Sequence, residues 1–208
     1  MIAMDADERR SLATVIEFWF GPFDADDSTI AARQSGLWWG KNAGTDREIR
    51  TRFEPLVQAA GRGKLDEWQT SPESWLALIL LLDQFPRNIY RDTPDMYRFD
   101  DRARALCVEG LETGVDTRLR LIQRVFFYLP LEHSESADDQ AWCVNLIRGL
   151  AREAPQDQKG LFEDFVDYAE AHKKVIDRFG RFPHRNAILG REPTSEEIEF
   201  LQQPGSSF

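Results

Sequence analysis

Along most of this chain apolar residues recur every three or four positions, and proline, glycine, serine and aspartate cluster in the gaps between. That recurrence is the pattern of amphipathic helices. The first predicted helix runs from Asp7 to Phe20, with Leu12, Val15, Ile16 and Trp19 on one face and Gly21-Pro22 as its stop. Phe23 to Ala43 is less regular, with a short helical stretch near Ile30. Thr45 to Glu48 reads as a capping box, opening a stripe of Ile49, Phe53, Leu56, Val57 and Ala60 that Gly61 and Gly63 close. Pro55 lies inside that stripe, where a kink or break is expected.

Ser71-Pro72-Glu73 opens the next helix, with serine as cap and proline at the first helical position. From Trp75 to Leu82 every residue is apolar, which predicts a helix at the centre of the fold. Pro86 is expected to forbid its continuation and to bias Phe85 toward extended backbone. Further helices are predicted over Asp101 to Glu112, Thr117 to Leu129, Ala137 to Ala154, Gly160 to Phe179 and Ser195 to Gln202. Trp142, Leu146 and Leu150 form the stripe of the third of these, and a capping box from Thr194 to Glu197 opens the last. No useful length alternates with period two, so strands are expected to be absent or trivial. The pattern predicts one all-α domain over residues 1–208, an array of antiparallel helical hairpins.

Composition narrows the function. A net charge of −10 argues against nucleic acid or an anionic membrane as the main partner. Cys107 and Cys143 both fall in apolar helical patterns, as small core residues in a reducing compartment do. The first residues, Met1 to Ser11, lack the layout of a signal peptide, and Trp75 to Leu82 is too short to span a bilayer. A cytoplasmic protein is expected.

The candidate chemistry starts where the apolar helix ends, in Asp83, Gln84, Arg87, Asn88 and Arg91. A carboxylate at a helix C-terminus opposes the macrodipole and needs a cation nearby. Asp83 therefore either forms a structural bridge to Arg87 or Arg91, or orients an arginine that binds an anionic ligand. Arg181 to Arg191 repeats the Phe-Pro…Arg-Asn signature, adding Arg181, His184, Arg185 and Asn186 as candidate binding residues. From His172 to Arg191 the chain carries a surplus of +5, which leaves −15 for the rest. Such an island is either a focus for an anion or a solvated face balancing nearby acids.

His172 shares a helical face with Phe165 and Ile176, so its imidazole points at the core, as a bonded core histidine or as the inner end of a pocket. Pro130 is expected to end one helix, leaving Glu132 and His133 in the connection before Ser134 or Ser136 caps the next. Glu132, His133 and His184 are the candidate catalytic residues; the plainer reading of Glu132 is support for a helix N-terminus. The three histidines lack metal-ligand spacing, and neither a metal nor a cofactor is expected. Adjacent Trp38 and Trp39 cannot both point inward from a helix.

Three stretches, LLDQFPRNIYR, FFYLPLEHSE and RFGRFPHRNAILGR, together with VIEFWFG and Trp38-Trp39, resemble a bacterial family of unknown function with a tetratricopeptide-like helical fold. The resemblance covers nearly the whole chain. It implies stacked helical hairpins and brings no settled activity; the tetratricopeptide signature itself is not visible. Three functions compete. The favoured one is a binding protein for a small anionic ligand or peptide, in a polar pocket lined by the two Phe-Pro turns. The second is a hydrolase-like enzyme using histidine, Glu132 and Arg87 or Arg185. In the third the motifs are buried networks that lock loops to the core. Nothing in the sequence specifies an oligomeric state.

Overall fold

The structure is a computed structural model and describes residues 6–206; residues 1–5, the start of the N-terminal stretch read above, and 207–208 lie outside it. The helices are α1 (Ala6–Phe20), α2 (Asp27–Trp38), α3 (Ala43–Gly61), α4 (Pro72–Leu82), α5 (Gln84–Ile89) and α6 (Asp100–Thr113). They continue as α7 (Leu121–Glu132), α8 (Ala137–Glu153), α9 (Lys159–Phe179), α10 (Asn186–Leu189) and α11 (Ser195–Leu201). Single 3-10 turns at Asp66–Trp68, Pro94–Tyr97, Val115–Arg118 and Pro183–Arg185 join some of them, and no strand occurs among the described residues.

As the unbroken apolar run requires, α4 is the hub: every residue from Ser74 to Leu82 is buried, against α1, α3, α6 and α7. Short connections fold α7, α8 and α9 back on one another along the other side. An aromatic cluster ties the layers together, with Phe85 at 4.9 Å from Phe53 and 5.5 Å from Trp19, and Trp19 edge-on to Phe126 at 5.6 Å. Helices α4, α6 and α7 cross closely at Gly110 of α6. A Cβ there would lie 2.4 Å from the Phe127 ring of α7 and 3.2 Å from the Trp75 indole nitrogen of α4.

The prolines behave differently from expectation. Pro55 interrupts nothing, because α3 runs on through it; Thr51 and Pro55 lie on the exposed side, where water can satisfy the freed Thr51 carbonyl. Pro130 also lies inside its helix, and α7 closes with the His133 N–H donating to the Leu129 carbonyl at 2.8 Å. Pro86 does not hold Phe85 extended. It is the third residue of α5, within the first turn, where no intrahelical N–H is needed. Two boundaries and one buried stripe also move. Asn42 rather than Thr45 caps α3, accepting from the Gly44 and Thr45 amides. A 3-10 turn delays α7 to Leu121. The α8 stripe is rotated by one residue to Cys143, Val144, Ile147 and Leu150, which exposes Trp142. Trp38 is buried and donates to the Trp19 carbonyl, while Trp39 is 53% exposed and stacks on Phe126.

Candidate functional site

The polar end of α4 opens into a cluster fed by α5, α6, α7, α9 and the second Phe-Pro turn. Asp83 is its floor, a carboxylate with 0% exposure at the C-terminus of α4. Its Oδ1 meets His133 Nδ1 at 2.7 Å and Arg87 Nη1 at 3.3 Å, and its Oδ2 accepts from Gln84 Nε2 at 2.6 Å. Burial pushes this carboxyl up, but Arg87, His133 and Gln84 outweigh it and hold it well below the usual carboxylate range.

Above the floor two guanidiniums share one carboxylate. Arg87 donates to both oxygens of Asp100, at 3.0 and 2.9 Å. Asp100 stands at the N-terminus of α6, where the helix dipole favours it. Arg185 reaches the same Asp100 only at 3.8 Å. Its Nη2 donates to the His133 carbonyl at 2.9 Å, and its plane lies 4.5 Å from the Phe182 ring and 4.7 Å from that of Tyr97. The Arg185 side chain is buried, and its Nε has no hydrogen-bond partner. Burial and then the charge of Arg87 push the Arg185 pKa down.

Deeper in, Glu132 ends α7 with its Oε1 3.3 Å from His172 Nδ1, which also faces the Tyr168 carbonyl at 2.9 Å. Burial, reinforced by the negative charge of Asp83, raises Glu132 to about 8. Burial lowers His172 to about 3 and His184 to about 4. At neutral pH the Glu132–His172 contact is therefore between two uncharged groups, not an ion pair. The Phe182 ring packs near both of these histidines, 5.7 Å from His172 and 5.6 Å from His184. Among the described residues no group of three or more His, Cys, Asp or Glu is arranged to hold a metal ion.

Residues 15–205, which contain every member of this cluster, match the family described as "bacterial protein of unknown function (DUF924)". The chain belongs to this family. It is also similar to a solved structure of a protein of unknown function, ATU0120, from Agrobacterium tumefaciens, at 36% identity with a TM-score of 0.79. That match covers 93% of this chain and 98% of the other. Comparison with curated proteins finds no match.

Within this DUF924 chain the structure brings Asp83, Arg87, Glu132, His133, His172, His184 and Arg185 into one region. The remaining candidates do not join them. Asn88 donates to Asp46 at 2.9 Å, alongside a two-bond contact from Arg91 at 2.7 and 2.8 Å. Arg181 clamps Glu197 at 2.6 and 2.7 Å, and Asn186 donates to Glu197 at 3.2 Å. The basic island is balanced by partners brought from elsewhere: Arg178 by Glu196, Arg181 by Glu197 and Arg191 by Glu135. Two members escaped the sequence. Asp100 stood one residue before the predicted start of its helix, and Tyr97 sits in a 3-10 turn with no periodicity. Acid enrichment in a helical first turn was the available signal for Asp100.

Proposed function

We propose that this protein binds a small anion, a carboxylate or a phosphate, against Arg185 and Arg87. The observation that carries this reading is Arg185 itself, 7% exposed, with its Nε lacking an acceptor and only a distant share of Asp100. Leaving a buried guanidinium nitrogen without an acceptor is costly, and an oxyanion supplies one. The aromatic faces of Phe182 and Tyr97 hold the guanidinium plane in place, so little side-chain entropy is lost on binding. The partial exposure of Arg87, His133 and Asp100 leaves the cluster open on one side. We also propose a cytoplasmic location; the buried free thiols Cys107 and Cys143 suit a reducing compartment, and among the described residues no helix is long and apolar enough to cross a membrane.

Binding stabilises the folded state by mass action, about 2.7 kcal/mol at a ligand concentration of a hundred times Kd. Millimolar succinate or phosphate should therefore raise the Tm of the wild type and leave that of Arg185→Ala unchanged. No shift with any carboxylate or phosphate at those concentrations overturns the reading, and the cluster is then a structural network.

A further inference from the structure

We propose that the Asp83–His133 pair is the general base of a hydrolytic site, acting on a short ester whose anionic end is held by Arg185. This inference rests on the anion-binding reading above. Asp83 and His133 meet at 2.7 Å through Oδ1 and Nδ1. An ionised Asp83 can only accept, so the imidazole carries its proton on Nδ1 and its lone pair on Nε2. Nε2 makes no hydrogen bond among the described residues. The Nδ1 side is sealed by a fully buried carboxylate, whereas the His133 side chain keeps 15% of its exposure. The basic nitrogen is thus on the accessible side of the ring.

The backbone of His133 fixes both partners of the reaction. Its N–H ends α7 on the Leu129 carbonyl, and its own carbonyl accepts from Arg185 Nη2 at 2.9 Å. The anion holder and the base are therefore joined through one residue, which sets their separation. The charged groups facing the ring are Asp83 and Arg87 from the α4–α5 junction, Asp100 from α6 and Arg185 from the second turn. His172 and His184, both uncharged at neutral pH, stand beyond it. Burial and Arg87 outweigh Asp83 and lower the His133 pKa, so the free-base form prevails at neutral pH. His172 is unsuited to the role, because its Nδ1 is turned to Tyr168 and Glu132 inside the core.

The chemistry closes without a further reactant. Water gives a proton to His133 Nε2 as its oxygen bonds to the ester carbonyl carbon. The carbon–oxygen bond to the alcohol then breaks, and the imidazolium returns the proton to the departing alkoxide. Ester and water become acid and alcohol. His133 is the catalytic residue and Asp83 a positioning residue.

The test uses para-nitrophenyl hydrogen succinate, with para-nitrophenyl acetate as the uncharged control, and follows nitrophenolate release. Succinate binding is measured by calorimetry on the same proteins. The wild type should cleave the succinate ester faster than the acetate. His133→Gln should lower kcat at least about a hundredfold while still binding succinate. In the wild type kcat should rise with pH through a midpoint below 6.5. Asp83→Asn should move that midpoint and lower kcat without raising KM; should it fail to fold, His133→Gln decides alone. No cleavage above buffer by the wild type, or equal rates in His133→Gln, overturns the inference. Succinate binding that persists in that case leaves the anion-binding reading standing, and its loss removes both.

Discussion

At the first Phe-Pro turn Asn88 and Arg91 close on Asp46, and at the second Asn186 and Arg181 close on Glu197. Each target carboxylate sits in the first turn of another helix, α3 or α11, where it is already favoured. The two struts share one plan: one carboxylate, one arginine bonded to it twice and one side-chain amide donating to it. The centre between them is built from the same residue types and is not complete. There Arg87 and Arg185, the arginines of the same two turns, compete for Asp100, and one guanidinium nitrogen remains without an acceptor. The repeated signature thus divides its labour, its asparagines fastening turns and its arginines facing each other across a shared acid. Finished ion pairs hold the chain in place, and the unfinished one is where the proposed anion would add a bond.

Removing Asp83 breaks the centre most severely. Asp83→Ala removes the one carboxylate that pairs with His133 and one of the two beside Arg87, and a loss of about 3–5 kcal/mol is expected from urea denaturation. A loss comparable to that of an exposed carboxylate would mean that the floor of the cluster is not what holds Arg87 and His133.

Acidity separates centre from struts. His172 and His184, depressed to about 3 and about 4, stay uncharged in the fold, so the unfolded chain takes up protons first as pH falls below 6.5. By about pH 5 each histidine should have withdrawn about 2 kcal/mol of stability. Glu132, raised to about 8, acts in the opposite sense: its contribution is present below 4.5 and is lost as pH rises toward 8, so Glu132→Gln should flatten the alkaline side of the profile. The struts are silent over this range, because Glu197, lowered to about 2, contributes above 4.5 and is lost only as pH falls toward 2. In Glu132→Gln, where that opposing contribution is removed, a profile of Tm against pH that is flat between 5 and 7 would contradict the buried, neutral histidines.

The smallest effect concerns the fasteners. Asn88→Ala and Asn186→Ala should each cost about 1–2 kcal/mol, to a similar degree, and leave succinate affinity unchanged. A change in affinity on substituting Asn88 would join strut and centre into one network, against the division drawn here.

Much of this was legible because helical periodicity reports burial directly. The run from Trp75 to Leu82 announced the hub, and Ser71-Pro72 its start. What periodicity cannot carry is the role of a residue whose partner is distant in the chain. Asn88 and Asp46 are 42 positions apart, and Arg191 and Glu135 are 56 apart, so their pairing is settled only by folding. The prolines mislead for a related reason: Pro86 and Pro130 look like helix breakers by residue type, but the cost of a proline depends on whether its missing N–H falls where a bond is required. The stripe of α8 failed by one residue because Trp142 and Cys143 are both apolar and adjacent, and pattern alone does not choose between them.

Gly110 finally has a meaning beyond close packing. The three helices that meet there are those that deliver Asp100, Asp83 and His133: α6 at its start, α4 and α7 at their ends. Ten residues of α6 separate the crossing from Asp100, about 15 Å of stiff rod. A single methyl at the crossing has nowhere to go, so it must tilt or slide one rod against the other two. Gly110 therefore acts as an alignment pin: the tolerance of the acid–histidine–arginine geometry is machined at a point that touches none of it.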